Sequence, residues 1–148
     1  MKTLFIGDIV GRKARNFAIE KIKEFKKDEY FDLIIVNVEN SAGGFGVTPE
    51  ICDQFLLNGA DVLTSGNHIW DKKEIISYIN ETNKLLRPMN MVDGTPGLGI
   101  TIIDTSYGKI GVANIMTNLF MPNSNPVFEL LNQIKLKFNS NANLCFSL

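Results

Sequence analysis

Little in this chain suits covalent cross-linking or a histidine-built metal cage, because its 148 residues include only two cysteines, one histidine and one tryptophan. Cys52 and Cys145 lack the paired spacing that marks a zinc site or a disulfide framework, so both read as plain thiols. No apolar run approaches membrane-spanning length. The first one, residues 3–6, is closed by an acid at Asp8 and is too short for a signal peptide. These absences point to a cytoplasmic protein that does not insert into membranes. A surplus of either charge is missing as well: 15 Lys and Arg against 16 Asp and Glu leave a net charge of −1. Tight, sequence-independent binding to duplex nucleic acid needs many phosphate-neutralising cations. That class is set aside in favour of a small substrate. Internal repeats and low-complexity tracts are absent too.

What is present is a composition of 45% hydrophobic and 21% charged residues, enough for one soluble globular domain with a sizeable core. Apolar runs at 3–6, 33–38 and 62–65 read as strands, with helical patterns between them. Residues 14–27 place Phe17, Ile19, Ile22 and Phe25 towards a core and leave Lys21, Lys23, Lys26 and Lys27 solvated. Thr48-Pro49-Glu50 opens a second helix and Asn58-Gly59 closes it. Asp71, followed three residues later by Glu74, predicts a capping box on a third helix that buries Ile75, Ile76 and Ile79. Residues 83–99 read as loop, turned by Arg87-Pro88 and Gly94-Thr95-Pro96-Gly97. A hairpin is expected from 100–104 and 109–113 around Thr105-Ser106-Tyr107-Gly108. Asn125-Pro126 caps a last helix to about Phe138.

Each of the first three strands ends in chemistry-bearing residues: Gly7-Asp8, then Glu39-Asn40, then Gly66-Asn67-His68. The intervals are close to the roughly thirty residues of one strand-helix-strand unit, whose crossover is right-handed. In an open parallel sheet ligands bind outside the carboxyl ends of the strands, so the three segments belong to one edge. Taken singly, Asp8 reads as a turn former, Glu39-Asn40 as a capping pair and Asn67-His68 as a satisfied loop. Three in succession favour a site, with carboxylates and amides suited to metal ions and phosphate esters. His68, the only histidine, suits proton transfer better than a multi-histidine cage. Gly43, Gly44 and Gly46 allow either close backbone approach to a phosphate or simply a flexible connection, and the sequence weighs the two equally.

Three segments carry a specific resemblance. Gly7-Asp8-Ile9-Val10-Gly11, Asn37-Val38-Glu39-Asn40-Ser41-Ala42-Gly43-Gly44-Phe45-Gly46 and Gly66-Asn67-His68-Ile69-Trp70-Asp71-Lys72-Lys73-Glu74 resemble the first three motifs of the YmdB-type calcineurin-like metallophosphoesterases. Arg87-Pro88 with Asn90, then Gly94-Thr95-Pro96-Gly97, is similar to the next family segment. The resemblance implies that Asp8, Glu39, Asn40 and Asn67 bind a pair of iron or other divalent or transition-metal ions, with Mn or Mg as possible occupants. It implies that His68 donates a proton and that substrates are 2′,3′-cyclic nucleotides or related RNA-derived phosphodiesters. The chemistry agrees: a glutamate such as Glu39 can bridge two cations through its two oxygens, and two metals roughly 3.5–4 Å apart can share a hydroxide for in-line attack on phosphorus. The leaving ribose oxygen then needs the proton that an imidazole can give.

Family members also carry later strands with a histidine in a His-Ala-Glu context and two more in a Thr-His-Thr-His context. None of these occurs here, so the chain is expected to be the N-terminal portion of a four-layer α/β/β/α metallophosphoesterase sandwich. Residues 1–138 then form a truncated metallophosphoesterase domain and residues 139–148 a divergent tail. One face of the strands should be left with little cover, which favours self-association, a missing C-terminal segment as partner, or cover by Leu144-Cys145-Phe146. Two functions follow: a metal-dependent phosphodiesterase, incomplete as this chain, or a non-catalytic module that binds a nucleotide or phosphate.

Overall fold

The computed structural model describes residues 1–119, 124–138 and 143–147. Uninterrupted Leu33-Ile34-Ile35-Val36 has the character of a strand covered on both faces, and all four side chains are buried in β2 (Leu33–Asn37). It lies between β1 (Thr3–Ile6) and β3 (Val62–Thr64), and β4 (Leu85–Leu86) continues the sheet in the order β1-β2-β3-β4, every pair parallel. Helices α1 (Gly11–Lys27), α2 (Pro49–Leu57) and α3 (Ile75–Glu81) form the crossovers between successive strands. Ile34, Val36, Leu63 and Leu85 pack with Ile22, Phe55, Ile75 and Ile79 in one apolar cluster. Thr48 caps α2 as its motif predicts, its hydroxyl accepting the Ile51 N–H, with Pro49 in the first turn.

A second sheet contains β5 (Ile100–Thr105), β6 (Gly108–Asn114) and β7 (Asn143–Ser147). The first two form the expected antiparallel hairpin, and β7 adds to β6 in parallel. Because strand side chains alternate in direction, β6 serves two clusters. Ile110 and Val112 pack with Leu33, Ile35, Val62 and Leu86 of the first sheet. Ala113, with Ile115 beyond the strand, meets Leu130 and Ile134 of α4 (Val127–Lys137) and Phe138. Gly111 has no side chain because an added Cβ would overlap the Phe138 ring. The molecule is thus an α/β protein built on a parallel sheet. Among the described residues, no helix is long and apolar enough to cross a membrane.

The packing corrects several expectations. The second face of the main sheet is not bare: Leu33, Ile35 and Val62 are at most 1% exposed, because β6 lies against them. Exposure on that sheet is confined to β1, where Phe5 is half uncovered. Asp71 does not cap α3. The helix starts after Glu74, which makes no side-chain cap, while residues 67–70 form a 3-10 turn and the Asp71 carboxylate engages His68. Ile76 and Phe17 are exposed, and Ala18 takes the buried place on α1. Within 83–99 the Leu85-Leu86 pair is a strand rather than loop, since two buried leucines complete the sheet edge. Lys26 is paired with Asp61 rather than free in solvent. Residues 139–142 and 148 of the expected tail, and the side chains of Leu144, Cys145 and Phe146, lie outside what is described.

Candidate functional site

Parallel pairing sets Ile6, Asn37 and Thr64 at one edge, so the segments that follow β1, β2 and β3 emerge side by side. The turn after β2 is shaped by Asn37, whose side-chain oxygen accepts the Glu39 N–H at 3.1 Å. This side-chain turn carries Glu39 away from the strand axis. After β1 the chain turns at Asp8 with φ +27°, a sparsely populated region for a residue with a side chain. The turn is held from both sides. Ile9 N–H reaches the Asn37 carbonyl, and Gly11 N–H, in the left-handed region, reaches the Asn40 carbonyl.

Asp8 and Asn40 meet directly, the Asn40 amide donating to the Asp8 carboxylate at 2.7 Å. A carboxylate accepts only, so this contact commits the NH₂ end of Asn40 and leaves Oδ1 for another partner. That Oδ1 is buried and has no donor among the described residues. Glu39 and the third segment meet as well: a Glu39 oxygen accepts the His68 N–H at 3.0 Å. Gly66 is required beneath it, since a Cβ there would lie inside contact distance of both Glu39 oxygens. Asn67 is exposed and lines, with Glu39, Gly66 and Asn37, a cavity of about 680 Å³ that Met116, Leu119 and Phe128 also line.

All five residues singled out in the sequence therefore lie along one sheet edge, in two linked groups: Asp8 with Asn40, and Glu39 with Asn67 and His68. The donor set suits a cation. Two carboxylates, a buried amide oxygen without a donor and a second amide are oxygen ligands of the kind that Mg²⁺, Mn²⁺ or mixed-ligand iron sites take. Among the described residues, no three His, Cys, Asp or Glu side chains cluster as a metal cage. Any such site rests partly on amides.

The glycines after Glu39 shape the loop more than they offer donors. Gly44 N–H is spent on the Asn40 carbonyl, and Gly43, Gly44 and Gly46 all have positive φ. Sequence reasoning missed three neighbours. Asp71 lies 2.8 Å from His68 Nδ1, a spacing of three residues that could have suggested it. The Phe45 ring lies 4.9 Å from the imidazole, and Arg15 donates to the Ser41 carbonyl beside Asn40. Asn114 ties the second sheet to this edge, donating to the carbonyls of Ser65 at 2.7 Å and Leu86 at 3.0 Å.

The chain as a whole is similar to known proteins. The chain is 40% identical over 122 residues to the 2′,3′-cyclic-nucleotide 2′-phosphodiesterase of Bacillus subtilis (strain 168), covering 82% of this chain and 46% of that protein. It is similar in structure to a hypothetical protein from Thermus thermophilus, with a TM-score of 0.86 at 26% identity over 100% of this chain and 59% of that one. A phosphatase from Mycoplasma pneumoniae matches with a TM-score of 0.84 at 26% identity, over 99% of this chain and 54% of the other. The chain spans about half the length of the curated relatives it matches. A family model described as YmdB-like protein matches residues 4–146, and the chain belongs to that family.

Proposed function

We propose that this chain supplies the metal-holding and proton-donating part of a phosphodiesterase acting on 2′,3′-cyclic nucleotides or related RNA-derived phosphodiesters. Its two sheets would be the N-terminal portion of a four-layer α/β/β/α sandwich. One observation carries the reading: Asn40, with its nitrogen given to Asp8 and its buried oxygen left without a donor among the described residues, stands where a cation would complete it. Buried polar atoms in native proteins nearly always have a partner. The activity named for the B. subtilis relative gives the substrate class.

In this reading Asp8, Glu39, Asn40 and Asn67 would hold two divalent ions, which would supply charge neutralisation and an activated water. Glu39 is fixed by the His68 N–H and by the space above Gly66, so its second oxygen stays oriented for a ligand. His68 presents its imidazole beside this pair and gives its proton to the leaving ribose oxygen. The cavity lined by Glu39 and Asn67 together with apolar side chains is large enough for a nucleotide.

Turnover of 2′,3′-cyclic AMP with Mn²⁺ tests the proposal. Two carboxylates and two amides bind transition metals weakly, so the chain alone should turn over slowly and gain strongly when supplied with the C-terminal half of a relative. Glu39→Ala should abolish that gain. His68→Ala should leave metal content unchanged yet lower kcat on the cyclic nucleotide by roughly a hundredfold or more, and much less on bis-p-nitrophenyl phosphate, whose phenolate hardly needs a proton. Equal losses on both substrates, with reduced metal content, would make His68 a ligand instead. The second reading, a phosphate-binding module without turnover, is favoured by the small number of anionic ligands among the described residues. It predicts cyclic-nucleotide binding that survives His68→Ala, and no gain on complementation.

A further inference from the structure

Of the three most exposed large apolar side chains among the described residues, two share one cavity: Phe128, 84% exposed, and Leu119, 68% exposed, line the same space as Glu39 and Asn67. Single exposed apolar residues are ordinary, but a pair on a cavity that also holds candidate ligands marks a binding surface. Asn118 makes the pair a unit. Its side-chain oxygen accepts the Val127 N–H at 2.9 Å, and its nitrogen donates to the Asn125 carbonyl at 2.8 Å, tying the stretch that carries Leu119 to the first turn of α4, which carries Phe128. Val127 packs against the cluster of Ile134 and Phe138, so the helix is anchored while Phe128 stays outside that core.

The same bonds spend the polar side chains of this stretch on the protein itself. Both ends of the Asn118 amide are engaged, the Asn114 nitrogen is given to the carbonyls of Ser65 and Leu86, and the Thr117 hydroxyl accepts the Leu119 N–H at 3.2 Å. What this stretch presents to a ligand is therefore hydrocarbon and an aromatic ring. We propose that it is a base subsite, in which Phe128 stacks on the nucleobase of a bound nucleotide beside Met116 and Leu119 and holds all four bases without reading their hydrogen-bonding edges. The inference rests on the proposed phosphodiesterase reading and adds how the part of the substrate remote from the phosphate is held. Every base has a π-face, so stacking is tolerant of sequence. Discrimination by orders of magnitude needs polar groups built for one edge, and here those groups are already paired.

The test uses 2-aminopurine riboside 2′,3′-cyclic phosphate, whose fluorescence is quenched when its base stacks, titrated with this chain in the presence of Mg²⁺. Saturable quenching is expected, with affinity lowered by roughly fivefold to a hundredfold in Phe128→Ala and retained in Phe128→Tyr. Because Phe128 lies outside the core, both variants should melt as the unaltered chain does. The four natural 2′,3′-cyclic nucleotides should displace the probe with affinities within roughly thirtyfold of one another, the spread of stacking contributions. Ribose 2′,3′-cyclic phosphate, which lacks a base, should compete roughly fivefold or more weakly and lose nothing further in Phe128→Ala. Absence of quenching, equal affinity in Phe128→Ala, or a baseless competitor as tight as the nucleotides overturns the proposal. So does displacement of the probe by the C-terminal half of a relative, which would make Phe128 part of a protein interface. Turnover is read separately: base-dependent binding without hydrolysis in the complemented enzyme removes the phosphodiesterase reading alone, whereas hydrolysis that is indifferent to the base removes the base subsite alone.

Discussion

At the residue scale the site turns on one missing side chain. Gly66 lies under the Glu39 carboxylate at φ −138°, outside the left-handed region, and an added Cβ would overlap both carboxylate oxygens, so the space it leaves is what Glu39 occupies. Gly66→Ala should push the carboxylate off its position and release the His68 N–H it accepts. Residues that orient metal ligands typically contribute tenfold to a hundredfold in affinity. Titration calorimetry with Mn²⁺ should therefore show binding weakened by roughly tenfold or more in a protein that still folds. Unchanged affinity would mean that Glu39 is not a ligand. The residue types of this edge were legible in the sequence because Asp8, Glu39, Asn40, Asn67 and His68 each follow an apolar run that could only be a strand. The pairing of Asp8 with Asn40, and of His68 with Asp71, was not. Such contacts depend on side-chain directions that spacing along the chain leaves open, and Asp71 followed by Glu74 also fits a helix cap.

Element by element, boundaries were legible where local chemistry decides them and obscure where tertiary packing does. Thr48-Pro49 and Asn58-Gly59 bracket α2 as written, whereas α1 begins at Gly11 and β4 is only two leucines long, recognisable solely by its place beside β3. Helix α2 also carries a pH-dependent element of stability. Cys52 is fully buried, and that burial, reinforced by the neighbouring Asp53, pushes its thiol well above the ordinary range. In the unfolded chain the thiol ionises near pH 8.5, while in the folded chain it stays protonated beyond that. Above about pH 8.5 the unfolded state therefore binds fewer protons, so stability is full below that pH and falls as pH rises. Each unit above it costs at most about 1.4 kcal/mol. Tyr78, raised by burial and by its hydrogen bond to Asp53, adds to the fall at higher pH, above about 10. Urea denaturation at about pH 8 and pH 10 should show a drop of roughly 2 kcal/mol for the unaltered chain and a smaller one for Cys52→Ala. Equal drops would place the titrating group elsewhere.

For the whole molecule, the seam between the two sheets is what the sequence concealed. Nothing in 100–113 says that its hairpin will lie across β2 and β3 rather than extend the first sheet, and the absence of the later family strands suggested a face with little cover. The alternation of β6 holds the answer in retrospect: Ile110 and Val112 point to one side, and Gly111 and Ala113, small enough to admit α4 and Phe138, to the other. Two kinds of interaction contribute to the seam, apolar contact at Ile110 and Val112 and the Asn114 amide bridging the carbonyls of Ser65 and Leu86. They should fail differently. Ile110→Ala removes buried volume far from the site and should lower stability by about 2–5 kcal/mol while leaving Mn²⁺ affinity, once folded, unchanged. Asn114→Ala leaves the Ser65 carbonyl without that donor, although Leu86 keeps the Ser65 hydroxyl, so its cost should be about 1–3 kcal/mol. Ser65 precedes Gly66 and Asn67, so this smaller loss should be accompanied by weaker Mn²⁺ binding. Paired denaturation and calorimetry on the two variants check this. If Asn114→Ala destabilises without altering metal affinity, the second sheet supports the fold alone, and the site edge is organised entirely by the first.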